Sequence, residues 1–87
     1  METPEQLQFP CDYPVKVMAR AEEGVRSHID AIFERHAGPL DLSKVVERSS
    51  AKNNFIAITY IIHAQGPEQI ANLFSALKLC PQVVLVL

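Results

Sequence analysis

Residues 13–37 read YPVKVMARAEEGVRSHIDAIFERHA, and the change of period inside them decides the fold. As far as Arg20 the pattern alternates. Val15, Val17 and Ala19 fall on one side; Lys16, Met18 and Arg20 fall on the other. Period two with β-branched residues predicts a half-buried strand over 13–20. From Glu22 the period becomes helical. Val25, Ile29, Ile32, Phe33 and His36 recur at i, i+4, i+7, i+8 and i+11, one stripe of a helix over 22–37. Glu22 and Glu23 suit the positive end of its dipole. Glu22–Arg26 and Arg26–Asp30 are oppositely charged i,i+4 pairs. Gly38 and Pro39 give a C-terminal stop. Gly24 reads as a weak spot in the first turn.

Outward from this unit, residues 1–8 read as a flexible N-terminal tail, and 9–87 as a single domain. Phe9 is the first large apolar residue. In the lead-in FPCDYP, Pro10 and Pro14 keep the chain extended and block edge pairing. Residues 42–49, LSKVVERS, are short and charged, which suits an edge strand. SSAKNN at 49–54 is turn chemistry. FIAITYIIH at 55–63 is the strongest strand, with Ile56, Ile58, Tyr60 and Ile62 on one face. Phe55, Ala57, Thr59, Ile61 and His63 make the other. Gly66 and Pro67 open a second helix. Its stripe is Ile70, Leu73, Phe74 and Leu77, and Pro81 ends it. QVVLVL at 82–87 closes as a strand that is apolar on both faces.

The order is β-α-β-β-α-β. With right-handed crossovers this is the ferredoxin-like split β-α-β sandwich, an α+β fold. The sheet order is expected to be 4-1-3-2, all antiparallel, with both helices on one face. Cys11 then precedes strand 1 and Cys80 precedes strand 4, at opposite ends of antiparallel neighbours. Six residues of strand separate them by roughly 20 Å. A disulfide needs Cα atoms within about 7 Å, so none is expected within the chain.

Composition narrows the function. The chain has 87 residues, enough for one small domain. Its 8 basic and 10 acidic residues give a formal charge of −2, which argues against a dedicated nucleic-acid binder or attraction to anionic membranes. No segment approaches the ~20 apolar residues of a membrane span. METPEQLQ lacks the basic start of a signal peptide. A cytoplasmic location is the expectation.

Four stretches resemble a known family: YPVKVMAR opening the first strand, RHAG ending the first helix, SSAKNNF before the third strand, and the final VVLVL. In order and spacing they are similar to the YbeD-like family of small uncharacterised bacterial proteins, over about residues 9–87. The resemblance implies a bacterial source and no known enzymatic activity. It also implies a ferredoxin-like fold akin to the regulatory ACT domains, which sense amino acids. Genes of the family often lie beside lipoate-attachment genes, which implies a link to lipoate or acyl metabolism. Two departures stand out. Ala19 occupies a position where the family suggests glycine. The loop ARAEEG at 19–24 lacks the Pro-Gly pair typical of amino-acid-sensing ACT domains, so no ligand residues are carried over.

The residues offer little to a catalyst. There is no CxxC and no His pair at i,i+4. His28 and His36 are eight apart, about 80° around a helix. His36 reads as a C-terminal residue favoured when charged. Cys11 has no adjacent histidine, and Asp12 beside it disfavours the thiolate. Three glycines cannot make a P-loop. Arg20 lacks the glycine-rich cradle of an acylphosphatase. Glu22–Glu23 and Glu2–Glu5 read as a helix start and a tail. No metal or cofactor is expected.

What remains is the sheet face that the helices leave open. Lys16, Met18, Arg20, Thr59, Ile61 and His63 are expected on it, with Val84 and Val86 of the last strand or their neighbours. A partly apolar face with a polar rim suits an interaction surface, although much of any protein surface is apolar. The leading expectation is a non-enzymatic, ACT-like regulatory module that binds a small molecule or a protein partner, including a second copy. The alternatives are an enzyme or accessory in lipoate metabolism, and RNA binding on the sheet, where Phe55 is the one candidate aromatic.

Overall fold

A ten-residue central strand carries the architecture. The computed structural model describes residues 8–50, 52 and 54–87; the expected tail lies almost wholly outside the described residues. The first strand, β1 (Cys11–Arg20), runs antiparallel to β3 (Phe55–Ala64) over its full length, from Cys11 opposite Ala64 to Arg20 opposite Phe55. Its other neighbour is β4 (Val83–Val86), and β2 (Val46–Ser49) flanks β3, so the sheet order is β2-β3-β1-β4. This is the expected 4-1-3-2 order read from the other edge, and every pairing is antiparallel.

Alternation sets the core. Val15, Val17 and Ala19 of β1 are fully buried, as are Ile58 and Tyr60 of β3. They meet α1 (Val25–Ala37), which buries Val25, Ile29 and Phe33, and α2 (Pro67–Lys78), which buries Ile70, Leu73 and Leu77. Both helices therefore lie on one side of the sheet. The rings of Phe33 and Tyr60 stack with centroids 3.7 Å apart and planes 15° apart. Gln69 joins the two helices at one end: its amide donates to the His36 carbonyl at 2.9 Å, and its side-chain oxygen accepts from the Gln65 N–H at 2.6 Å.

Three local expectations are corrected. The first helix begins at Val25 instead of Glu22, because Gly24 is its N-cap with φ 80 in the left-handed region. Glu22 therefore makes no i,i+4 pair with Arg26; it accepts from the Gln82 amide at 3.2 Å. The segment 42–49 is not one strand. Asp41 accepts from the Ser43 N–H at 3.1 Å and from its hydroxyl at 2.6 Å, which caps a 3-10 turn at Leu42–Lys44 and delays β2 to Val46. These bonds hold the Asp41 carboxyl below its usual pKa. Third, β1 begins at Cys11 instead of Tyr13, so Pro14 lies well inside it. The Lys16 N–H donates to the Leu87 carbonyl at 3.0 Å, so even-numbered amides of β1 point toward β4. At Pro14 that direction is past the end of β4, where a missing donor costs no ladder bond.

Candidate interaction face

The open side of the sheet is built from the alternate positions of each strand. Because partners across antiparallel strands share a face, its rows follow from the register. One row runs Leu85, Met18, Ala57, Arg48; the next runs Lys16, Thr59, Val46. At one end Arg20 lies opposite Phe55. At the other, Pro14 lies opposite Ile61 and Asp12 opposite His63. Lys16, Arg20, Arg48 and His63 are exposed, and Met18, Ala57 and Thr59 are half-buried. Ile61 is 42% and Phe55 40% exposed, large values for apolar side chains in central strands.

Lys16, Met18, Arg20, Thr59, Ile61 and His63 thus fall together on one surface. Val86 does not. Between Met18 and Ala19 the β4 register slips: Met18 faces Leu85, but Ala19 faces Val83. Val84 is the extra residue of this bulge and stays exposed. Val86 then falls opposite Val17 and packs against the core from the helix side. Leu85, 46% exposed, takes its place on the open face. Val46 and Arg48 also belong there, supplied by the edge strand. Their own alternation in VERS was readable, but assigning it to a face needs the β2–β3 register.

The charges on the two sides of the sheet differ. On the helix side a connected network links three elements. The Tyr60 hydroxyl donates to Asp30 Oδ1 at 2.5 Å, Arg26 Nε donates to the same oxygen at 2.9 Å, and Arg26 reaches Glu47 Oε1 at 2.6 Å. Burial alone would lower the Arg26 pKa, but its bonds to Asp30 and Glu47 outweigh that and hold it above the usual arginine value. On the open face, the one carboxylate contact with a basic side chain among the described residues is at the far end, His63 Nδ1 to Asp12 Oδ1 at 3.4 Å. Lys16, Arg20 and Arg48 take part in no salt bridge among the described residues.

Clefts away from the centre of this face include two beside α1. One, of about 390 Å³, sits over the β1–α1 loop and is lined by Glu22, Glu23, Arg26, Ser27 and Glu47 among others. The second, about 240 Å³, lies between the helices, where His28, Arg35 and His36 meet Ile32, Leu79 and Cys80. Among the described residues no group of three or more His, Cys, Asp or Glu is placed to hold a metal. No helix among them is long and apolar enough to cross a membrane.

A βαββαβ sandwich with two helices on one face and an open antiparallel sheet on the other defines a ferredoxin-like fold. The solution structure of HP0495 from H. pylori has this fold, with a TM-score of 0.76 at 14% identity over 100% of this chain and 97% of that one. So has the crystal structure of the ACT domain from the GTP pyrophosphokinase of Chlorobium tepidum, with a TM-score of 0.63 at 15% identity, covering 88% and 97%. The chain belongs to the family described as protein of unknown function DUF493, whose model matches residues 4–87. A UPF0250 protein of Ectopseudomonas mendocina is 35% identical over 97% of this chain and 92% of its own length. One from Pseudomonas aeruginosa is 34% identical over 97% and 91%. The family expected from the four sequence stretches is the one found.

Proposed function

We propose that this protein is a non-enzymatic regulatory or interaction module of the ACT-like kind, acting in the cytoplasm, and that its open sheet face takes up a partner. One observation carries this reading. The face presents Met18, Ile61, Leu85 and Phe55 together with Lys16, Arg20 and Arg48, and no element of the chain among the described residues covers it. Apolar area set beside fixed charge is the composition from which interface cores and rims are made. The likeness to an ACT domain supports the fold of such a module.

The test is capture from a bacterial lysate by the immobilised native chain and by Met18→Glu. The native chain is expected to retain a protein that Met18→Glu loses, with both equally stable to urea. Equal capture by both would remove the face from the function. A parallel NMR titration with pooled amino acids, lipoate and octanoate addresses the small-molecule form. Saturable shifts confined to the β1–α1 loop would move the site to the cleft there. A self-associating chain would identify the partner as a second copy; a monomer in light scattering at high concentration would exclude it.

A further inference from the structure

The three cations of the open face that form no salt bridge among the described residues are arranged as a triangle. Lys16 and Arg20 are four residues apart on β1, about 13 Å at ~3.3 Å per residue. Arg48 lies two strands away, in the row of Met18 and Ala57, one row from each of them. With strands ~4.8 Å apart and ~6.6 Å between rows, it stands about 12 Å from both. Met18 and Ala57 occupy the middle.

This spacing selects the ligand. These are backbone spacings, and the long side chains shorten the gaps: Lys16 and Arg48 line one hollow of about 270 Å³ with Val46, Ala57 and Thr59, while Arg20 stands outside it. An acidic segment that runs on from the hollow reaches Arg20 as well: carboxylates at every fourth residue of a polypeptide strand are about 13 Å apart, the Lys16–Arg20 spacing, with Arg48 to one side of that line. Among the described residues no carboxylate side chain pairs with the triangle. Asp12 is at the far end with His63, and Glu47 turns to the helix side, where Arg26 takes it. A net basic patch on a chain of formal charge −2 is therefore a local feature.

A nucleic acid is the other polyanion of this reach. The centre of the triangle speaks against it. Sheet surfaces that read RNA stack two or three bases on aromatics. Here the centre is aliphatic and thioether, and among the described residues Phe55 at one corner is the one aromatic on the face. Such a surface suits leucine or isoleucine side chains set between carboxylates.

Deepening the partner-docking reading on which it rests, we infer that Lys16, Arg20 and Arg48 form a docking site for an acidic, partly apolar polypeptide segment laid across the open sheet. Acid groups of the partner sit at the corners and an aliphatic side chain sits on Met18 and Ala57.

The test uses the full chain, isotope-labelled, and a fluorescent peptide with glutamate at every fourth position and leucine between. A matched peptide with glutamine for glutamate and a uridine oligonucleotide are the controls. Saturable shifts at Met18, Ala57 and Thr59 are expected with the acidic peptide, and affinity should fall as ionic strength rises. Lys16→Glu and Arg48→Glu should each weaken binding about tenfold, since each replaces an attraction with a repulsion. Both positions are exposed, and unchanged urea midpoints will show that the fold is kept. Equal binding of the glutamine peptide would overturn the acidic class while leaving the docking face intact. Tighter binding of the oligonucleotide at the same residues would assign the triangle to nucleic acid. Absence of shifts with any probe would overturn the inference; loss of lysate capture in Met18→Glu would still uphold the partner reading.

Discussion

The hydroxyl of Tyr60, on a ring with no exposed surface, donates to the carboxylate of Asp30 at 2.5 Å. The two residues are thirty apart in sequence, on the central β3 and on α1. Phe33 stacks on the same ring, so one tyrosine fixes the helix to the sheet by both packing and a charge-assisted bond. Tyr60→Phe keeps the packing and removes the bond. Asp30 retains Arg26 and is 24% exposed, so it is not stranded. The expected loss is about 1.5 kcal/mol in urea unfolding. A change below a few tenths would mean that water replaces the bond at no cost.

The same bond gives an alkaline limit to stability. Burial, and then the Asp30 carboxylate, hold the Tyr60 hydroxyl protonated well above the ordinary tyrosine value of 10.0. In the unfolded chain it ionises near that ordinary value. Above about pH 10 the unfolded state therefore binds fewer protons than the folded one, and stability falls as pH rises, by up to ~1.4 kcal/mol per unit from this group. Below pH 10 the contribution is complete. Tyr60→Phe should show a shallower alkaline decline than the native chain in urea midpoints taken between neutral pH and about pH 11. Parallel declines would show that Tyr60 ionises freely in the fold.

Two glycines distinguish two backbone requirements. Gly24, with φ 80 and ψ −4, caps the start of α1; Gly38, with φ 83 and ψ −173, follows its end. A Cβ at either would meet nothing within 4 Å, so strain alone decides the cost. Gly24 is left-handed, which asparagine tolerates. Gly38 is in a region essentially restricted to glycine. Gly24→Ala should cost about 1 kcal/mol and Gly24→Asn less. Gly38→Ala and Gly38→Asn should both cost about 2 kcal/mol. Equal values for the two asparagine variants, read from urea midpoints, would contradict this distinction.

The architecture was legible because its signals are local. The Gly38-Pro39 stop and the Gly66-Pro67 start each act within a few residues and lie where expected, and the change of period after Arg20 is as local, although the helix it announces starts at Val25 and not at Glu22. The face of β1 and β3 followed from alternation alone. Alternation left β4 open between Val84 with Val86 and their neighbours, since the strand is apolar on both faces; the register puts Val86 with Val17 and Leu85 with Met18, and one bulged residue reverses parity between them and Val83. Glu22–Arg26 failed because an i,i+4 pair presumes a helix that Gly24 delays. The Tyr60–Asp30 contact and the Arg48 corner of the basic triangle depend on register between distant segments, which no local spacing encodes.

The two cysteines follow from β1 as well. Cys11 starts the strand opposite Ala64, and Gln82, two residues after Cys80, accepts from the Arg20 N–H at its other end. The strand between spans roughly 30 Å, longer than the sequence reading allowed, because pairing begins at Cys11 and not at Tyr13. Both thiols are free. They differ in access: Cys11 is half-buried, whereas Cys80 is 4% exposed and its Sγ donates to Gln82 Oε1 at 3.2 Å. Ellman titration of the unreduced chain in urea should find two thiols. In the folded protein one should react promptly and the other should wait for opening of the α2–β4 turn. Cys11→Ser should remove the prompt phase and leave the urea midpoint within about 0.5 kcal/mol of native. If the prompt phase survived in Cys11→Ser, Cys80 would be the accessible thiol, and the turn between α2 and β4 would be open in solution.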